Sequence, residues 1–295
     1  MSKIHPIISV TGSSDAGTSS MKTAFQHIFF REKIDALIVE GDSFHRYTRE
    51  EMNKLIQNAD KEGKNFSHFG PESNLFANLE ELFKNYNDNG SGHFRHYIQS
   101  EDHAKQLGYI QSPGTFTEWI EIPNNTDLLL YEGLHGALVD EHNNILQYPD
   151  LKIGVVPIVN LEWIQKLHAD IKQKGYCQID VTKTILRRMD DYINYIMPQF
   201  TLTDINFQRV PVVDTSNPFS SRDIPTLDES MVVIRFKDPQ KFNIDFPYLL
   251  AMVQGSFISR RNTLVVPGGK QALAMEIILA PIIKNLIKKK QMDKI

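Results

Sequence analysis

The sequence predicts an α/β protein whose strands are buried on both faces, and two observations carry that prediction. Apolar runs of strand length, at 7–11, 36–40, 128–131, 153–159 and 231–235, alternate with segments of helical period. Between the first two runs, Met21, Phe25, Ile28 and Phe29 recur at i, i+4, i+7 and i+8, the apolar stripe of an amphipathic helix. A strand, a glycine-containing loop and a helix therefore open the chain.

The 295 residues are 41% hydrophobic, enough for a sizeable core. Turn-rich stretches at 87–92, 124–125 and 140–144 are too short to be interdomain linkers, and no fixed-period repeat or low-complexity segment occurs. Residues 1–295 are accordingly read as a single domain. Cys177 is the sole cysteine, which excludes an internal disulfide framework and a multi-cysteine zinc site and agrees with a reducing compartment. It is expected to be a packing residue rather than a nucleophile. No apolar run approaches the roughly 18 residues that span a bilayer. Residues 1–6 lead straight into a strand, unlike a signal peptide, so the expected location is the cytoplasm. A net charge of −4 offers no basic footprint for nucleic acid. Lys288, Lys289 and Lys290 read as a solvated helix end.

The loop after the first strand runs Gly12-Ser13-Ser14-Asp15-Ala16-Gly17-Thr18-Ser19-Ser20, with the G-x-x-x-x-G spacing of a P-loop. Backbone amides at the start of a helix face a phosphate with unpaired N–H groups and the positive end of the helix dipole. Ser19 stands where a P-loop hydroxyl coordinates Mg²⁺. Thr18 occupies the usual lysine position, so an ordinary turn is the competing reading, and the strand and helix flanks favour phosphate. Asp15 would repel a triphosphate if it pointed inward and is expected to face solvent.

Ligands of open α/β sheets gather at the carboxyl ends of strands. The second strand ends in Glu40-Gly41-Asp42-Ser43-Phe44-His45-Arg46, where Asp42 can accept a proton from an attacking hydroxyl and His45, Arg46 and Arg49 can grip an anion. A helix cap followed by a solvated charged turn is the alternative there. The run at 128–131 delivers Glu132, placed as the acidic Mg²⁺ partner of a P-loop hydroxyl, or else part of a surface turn. Gly133 and Gly136, on either side of Leu134-His135, predict a close backbone approach. The fourth strand runs into a helical segment at 160–170, from which Lys166 can supply the cation missing at Thr18, although a lone helical lysine is ordinarily solvated. Arg187, Arg188 and Arg209 add further candidate cations.

Together these segments resemble the bacterial phosphoribulokinases of the P-loop phosphoribulokinase and uridine kinase family. The resemblance rests on Pro6-Ile7-Ile8-Ser9-Val10 with the lysine-less loop, on 40–46, 131–136, 151–157, 160–166 and 203–219, and on Asp245-Phe246-Pro247-Tyr248-Leu249, and so spans nearly the whole chain. Thr18 in place of lysine belongs to that family's pattern. The resemblance implies a P-loop kinase fold with a mixed, mostly parallel sheet flanked by helices. The implied reaction takes ATP and ribulose 5-phosphate to ADP and ribulose 1,5-bisphosphate in the reductive pentose phosphate cycle.

Carried across by position, the resemblance makes Asp42 the general base and Lys166 the cation on the phosphates in the transition state. It places His45, Arg49 and Tyr97 on the sugar phosphate, and Ser19 and Glu132 on Mg²⁺. Arg31, Arg187, Arg188, Arg235 and Arg260 match arginines implicated in ligand or effector responses, with NADH as activator and AMP as inhibitor. A homo-oligomer, often an octamer, is implied as well. Three positions depart from the pattern: Asp15 for glycine, Gln99 for a histidine near the sugar phosphate, and Ala169 for the arginine before Asp170. Lys172 or Lys174 can replace the lost cation. These departures leave open a kinase with a different acceptor and a non-catalytic nucleotide-binding homologue.

Overall fold

The computed structural model describes residues 5–12, 18–173, 175–221 and 223–292, with the side chains of 18–20, 172, 173 and 289–292 excepted. The strands are β1 (Ile7–Thr11), β2 (Ala36–Glu40), β3 (His93–Phe94), β4 (Ile120–Glu121), β5 (Leu128–Gly133), β6 (Leu151–Val156), β7 (Ile205–Pro211), β8 (Ser230–Phe236), β9 (Phe257–Arg260) and β10 (Thr263–Pro267). Eight of them form one sheet in the order β2-β5-β1-β6-β7-β8-β10-β9, while β3 and β4 pair separately. From β2 to β7 the neighbours are parallel; β8, β10 and β9 continue antiparallel. The sheet is therefore mixed and mostly parallel, as the resemblance implied.

Both faces are covered, which is why the parallel strands read as continuous apolar runs rather than as alternation. The helices are α1 (Thr18–Glu32), α2 (Arg49–Lys61), α3 (Phe76–Asn89), α4 (Glu101–Leu107), α5 (Val159–His168), α6 (Gln178–Arg187), α7 (Met189–Asp191), α8 (Phe246–Met252) and α9 (Gln271–Met292). Successive strand side chains point to opposite faces. Ile8, Val10, Leu128, Leu130 and Ile153 meet α1 and α9 in one core, through Met21, Phe25, Ile28 and Phe29 of α1 and Met275, Ile278 and Leu279 of α9. Ile7, Val39, Leu129 and Tyr131 meet Leu79, Phe83 and Tyr86 of α3 in the other. The apolar stripe of α1 is thus buried as its spacing predicted.

Four expectations need correction. The run at 153–159 is a strand only to Val156, preceded by Leu151 and Lys152. Pro157 follows with no amide to donate to a ladder, and Val159 already opens α5. The strand at 128–131 continues through Glu132 to Gly133. The turn-rich stretch at 87–92 stays helical to Asn89, and left-handed Gly90 (φ 76°) closes α3 by donating its N–H to the Tyr86 carbonyl. Cys177 is exposed at the N-cap of α6 and packs no core.

The predicted backbone approach at Gly133 is found, and its partner is Gly41. A Cβ on Gly133 would lie 2.6 Å from the Tyr131 hydroxyl and 2.7 Å from the Gly41 Cα. Gly133→Ala is expected to cost roughly 1–3 kcal/mol as overpacking, read as a lower urea midpoint at unchanged m. Tyr131→Phe in the same chain should return part of that loss, because the hydroxyl is one of the two obstructions.

His135, buried just beyond β5, packs on Phe76 with ring centroids 4.7 Å apart and donates from Nε2 to the Phe69 carbonyl at 3.0 Å. Burial pushes its pKa down to about 4. The unfolded chain binds a proton near pH 6.5 that the native state refuses, so stability falls as pH drops from about 6.5 toward 4. This histidine should account for a loss on the order of 3 kcal/mol across that window. Urea unfolding at stepped pH should give a shallower slope for His135→Gln than for the parent.

Candidate active site

The parallel strands β1, β2 and β5 end side by side, and at their carboxyl ends lies a cavity of about 760 Å³ lined by Gly12, Asp42, His45, Arg49, Tyr97, Glu132 and Lys166, among others. Seven candidates from widely separated parts of the chain thus share one space. Glu40 and Glu132 are register partners, so Gly41 and Gly133 come next along the two strands. Their contact leaves no room for a side chain between the strand ends. It sets the spacing of Asp42, one residue after Gly41, and Glu132, one before Gly133.

Asp42 sits in a 3-10 turn, Gly41–Phe44, that follows β2 directly. Ser43 and Phe44 are buried beneath the turn. Asp42 keeps 40% of its side chain exposed, so an acceptor can reach it. Its Oδ2 accepts from Gln99 Nε2 at 3.1 Å, and its Oδ1 lies 3.7 Å from His45 Nε2. The alternative of a helix cap with solvated charges therefore does not describe this turn: it faces the cavity.

His45 is held neutral mainly by burial, with Arg188 and Arg95 acting in the same direction and Asp42 opposing. His68 lies 5.0 Å from His45 between ring centroids, and burial, reinforced by His45, Arg188, Arg187 and Lys166, pushes its pKa down to about 3. Neutral imidazoles offer hydrogen bonds rather than charge, so the cavity's positive field comes from Arg49, Arg188, Lys166 and Lys22. Arg49 opens α2, whose N-terminus is fixed by a capping box between Thr48 and Glu51. Its Nη2 donates to the Gln99 carbonyl at 2.9 Å. Tyr97 bridges to Phe116 in extended pairing and stands edge-on to His45 at 6.0 Å.

Lys166 points from α5 into the cavity and donates to Asp170 Oδ2 at 2.7 Å, both side chains being largely buried. The helix loosens to a π turn over Ala169–Gln173, so Ala169 brings only a methyl to this region. Tyr192 hydrogen-bonds the Glu162 carboxylate on the cavity wall. Lys22 of α1 pairs with Glu40 at 3.1 Å.

The five arginines matched to ligand or effector responses separate into distinct places. Arg188 lines the cavity with its guanidinium 5.3 Å from the Phe69 ring centroid, while Arg187 turns to Asp60 at 3.8 Å. Arg31 pairs with Glu32 at 2.9 Å and with Glu276 of α9 at 3.2 Å. Arg235 and Arg260, both exposed, lie on β8 and β9 opposite the same residue, Thr263 of β10. Arg209 donates to Ser230 Oγ at 3.1 Å across β7 and β8.

Of the expected phosphate loop, Ser13, Ser14, Asp15, Ala16 and Gly17 lie outside the described residues. Thr18, Ser19 and Ser20 form the first turn of α1, with their side chains outside the description. Lys174 and the Lys172 side chain lie outside it too. At the root of that loop, Gly12 lines the cavity. Gly12 admits no side chain, since a Cβ there would sit 2.7 Å from the Val155 carbonyl oxygen. The neighbouring buried Thr11 hydroxyl has no hydrogen-bond partner among the described residues.

Among the described residues no group of three or more His, Cys, Asp or Glu side chains could hold a metal ion. Glu132 is a hard oxygen donor suited to Mg²⁺, which takes one or two carboxylates and completes its shell with phosphate oxygens and water.

Several residues that line the cavity or hold its side chains escaped the reading by motif. Asp170 lay one helical turn beyond Lys166, and that i,i+4 spacing was a usable signal. Lys22, Glu162 and Tyr192 were visible only as members of helices. His68 sits on the connector between α2 and α3, with no strand end to mark it.

A family model described as the phosphoribulokinase / uridine kinase family matches residues 7–216. A phosphoribulokinase of Xanthobacter flavus is 59% identical and one of Nitrobacter vulgaris 58% identical, each over 99% of both chains. A solved structure of phosphoribulokinase from Rhodobacter spheroides superposes with a TM-score of 0.89 at 50% identity, covering 98% of this chain and all of that one.

Proposed function

Since the chain belongs to the phosphoribulokinase / uridine kinase family, we propose that it transfers the γ-phosphate of MgATP to the C1 hydroxyl of ribulose 5-phosphate, giving ADP and ribulose 1,5-bisphosphate. One observation carries the assignment of roles: Asp42, Glu132, Lys166 and the root of the phosphate loop at Gly12 line the same cavity. The triphosphate lies along the loop from Gly12 to Ser20, and the sugar lies on the Asp42 side.

Asp42 takes the proton of the C1 hydroxyl as that oxygen attacks the γ-phosphorus. The bond from γ-phosphorus to the β–γ bridging oxygen breaks, and ADP departs with its electron pair. Glu132 and Ser19 would hold Mg²⁺, which when bound would neutralise phosphate charge. Lys166 adds a fixed cation beside the reacting phosphoryl group, and a dry wall makes that charge count for more than it would in water. The sugar phosphate is taken by Arg49, with hydrogen bonds from Tyr97 and from the neutral imidazole of His45.

Residues 1–295 act as a single kinase domain, a reading supported by one sheet that draws strands from Ile7 through Pro267. No helix among the described residues is long and apolar enough to cross a membrane; we assign the enzyme to the cytoplasm and to the reductive pentose phosphate cycle. Arg31, Arg235 and Arg260, which do not line the cavity, together with Arg187 and Arg188 are the candidates for an effector response to NADH in a homo-oligomer. Arg188 differs from the rest in lining the cavity, where it can also touch substrate.

Coupled ADP release with MgATP and ribulose 5-phosphate tests the reaction, run beside a panel of other pentose phosphates and nucleosides. Activity on ribulose 5-phosphate is expected to exceed that on every other acceptor; no signal above an Asp42→Asn control would count decisively against the proposal. Asp42→Asn is expected to lower kcat by about 10² to 10⁴-fold, the usual contribution of a positioned base, with little change in KM for MgATP. Lys166→Met should lower kcat by roughly 10²-fold or more, and Lys166→Arg should retain part of the rate.

A further inference from the structure

Arg95 turns its guanidinium to the protein, and both hydrogen bonds described for it go to the segment that carries Asp42 and His45. Its Nε donates to the Ser43 carbonyl at 3.0 Å and its Nη2 to the His45 carbonyl at 2.6 Å. Those two peptide planes bracket buried Phe44. The guanidinium is itself fixed from the side, lying 3.7 Å from the Phe116 ring centroid and 4.9 Å from that of Trp119, and Trp119 also packs on Phe44 at 5.9 Å. Among the described residues Arg95 makes no salt bridge, so its charge is spent on two carbonyl oxygens and two aromatic faces.

The segment from Arg95 to Gln99 is extended, and in an extended chain alternate residues share a side. Arg95 holds the backbone of the turn, Tyr97 stands against the His45 ring, and Gln99 donates to the Asp42 carboxylate. A short 3-10 turn leaves its last carbonyls without helical partners; the connector before α3 ties the segment through Arg46 N–H to the Ser73 carbonyl and Leu75 N–H to the Phe44 carbonyl, each at 2.8 Å, while the donors to the Ser43 and His45 carbonyls come from Arg95.

We infer that Arg95 is a positioning residue for the phosphoryl-transfer step: it fixes the Gly41–Phe44 turn so that Asp42 meets the acceptor hydroxyl, without touching substrate itself. The inference rests on Asp42 being the base.

Steady-state kinetics of Arg95→Ala test it, with circular dichroism and thermal unfolding establishing that the variant is folded. The expected result is a fall in kcat of about 10²-fold, the scale of a misplacement near 1 Å, at unchanged KM for MgATP. Millimolar guanidinium should refill the slot between Phe116 and Trp119 and return part of kcat to Arg95→Ala, while leaving the parent and Asp42→Asn unaffected. A folded Arg95→Ala with parental kcat overturns the inference, as does a loss that follows the folded fraction and ignores guanidinium. Should Arg95→Ala not fold, Arg95→Lys carries the test, because one ammonium cannot span both carbonyls: kcat must fall at constant KM for MgATP, and a parental kcat overturns the idea. If Asp42→Asn keeps the parental rate, the assignment of the base fails separately, and rescue of Arg95→Ala by guanidinium still reports the clamp.

Discussion

Two glycines in contact at the ends of neighbouring parallel strands govern the geometry of this protein's cavity. Gly41 and Gly133 lie so close that either Cβ would stand within 3 Å of the other's Cα. No other residue type fits there without separating the strands. The consequence is chemical as well as steric, because the glycines are each adjacent to a carboxylate. The contact brings Asp42 and Glu132 to the lining of one cavity at the carboxyl edge of the sheet, with Gly12, just beyond β1, beside them. The carboxylates that we propose as the base and as the Mg²⁺ ligand are thereby placed by backbone packing, before any side-chain hydrogen bond is made.

Charge in the cavity follows from burial. His45 and His68 look cationic in a sequence, yet both are desolvated and surrounded by arginine and lysine, which disfavours their protonated forms. Permanent cations such as Arg49 and Arg188 carry the positive field of the cavity. Lys166 is held by Asp170 rather than left in water. A lysine so held is pre-oriented, and little reorganisation is required of it when negative charge develops nearby. The same pairing explains how a helical lysine, ordinarily a solvated residue, comes to point inward.

The parallel half of the fold was legible because its strands are continuous apolar runs: 7–11 and 36–40 coincide with β1 and β2, and the stripe of α1 is buried residue for residue. The remaining strands were harder, apart from β8, whose run at 231–235 stands out. All four residues of β9 are exposed, so it lacks both the continuous and the alternating pattern, and β7 interrupts its apolar residues with Asn206, Gln208 and Arg209. Of the cavity, Asp42, His45 and Glu132 could be found from sequence because each follows or ends a strand. Arg95 could not. Its partners lie about fifty residues away in the chain, at Ser43 and His45, and only the path of the connector brings them together. Cys177 and the end of β6 were misread for local reasons, an exposed helix cap in one case and the missing amide of Pro157 in the other.

The departures at Gln99 and Ala169 bear on different parts of the reaction. Gln99 puts a neutral amide on the carboxylate that we propose as the base, and an amide donor stays the same across the pH range in which a histidine would change charge. The carboxylate is thus oriented by an uncharged donor. Ala169 opens the π turn and brings only a methyl beside the pair of Lys166 and Asp170. An arginine at position 169 would compete for that carboxylate or bring a second cation to the phosphates. With alanine there, Lys166 is the cation that the described residues of this stretch bring to the cavity, and Asp170 orients it.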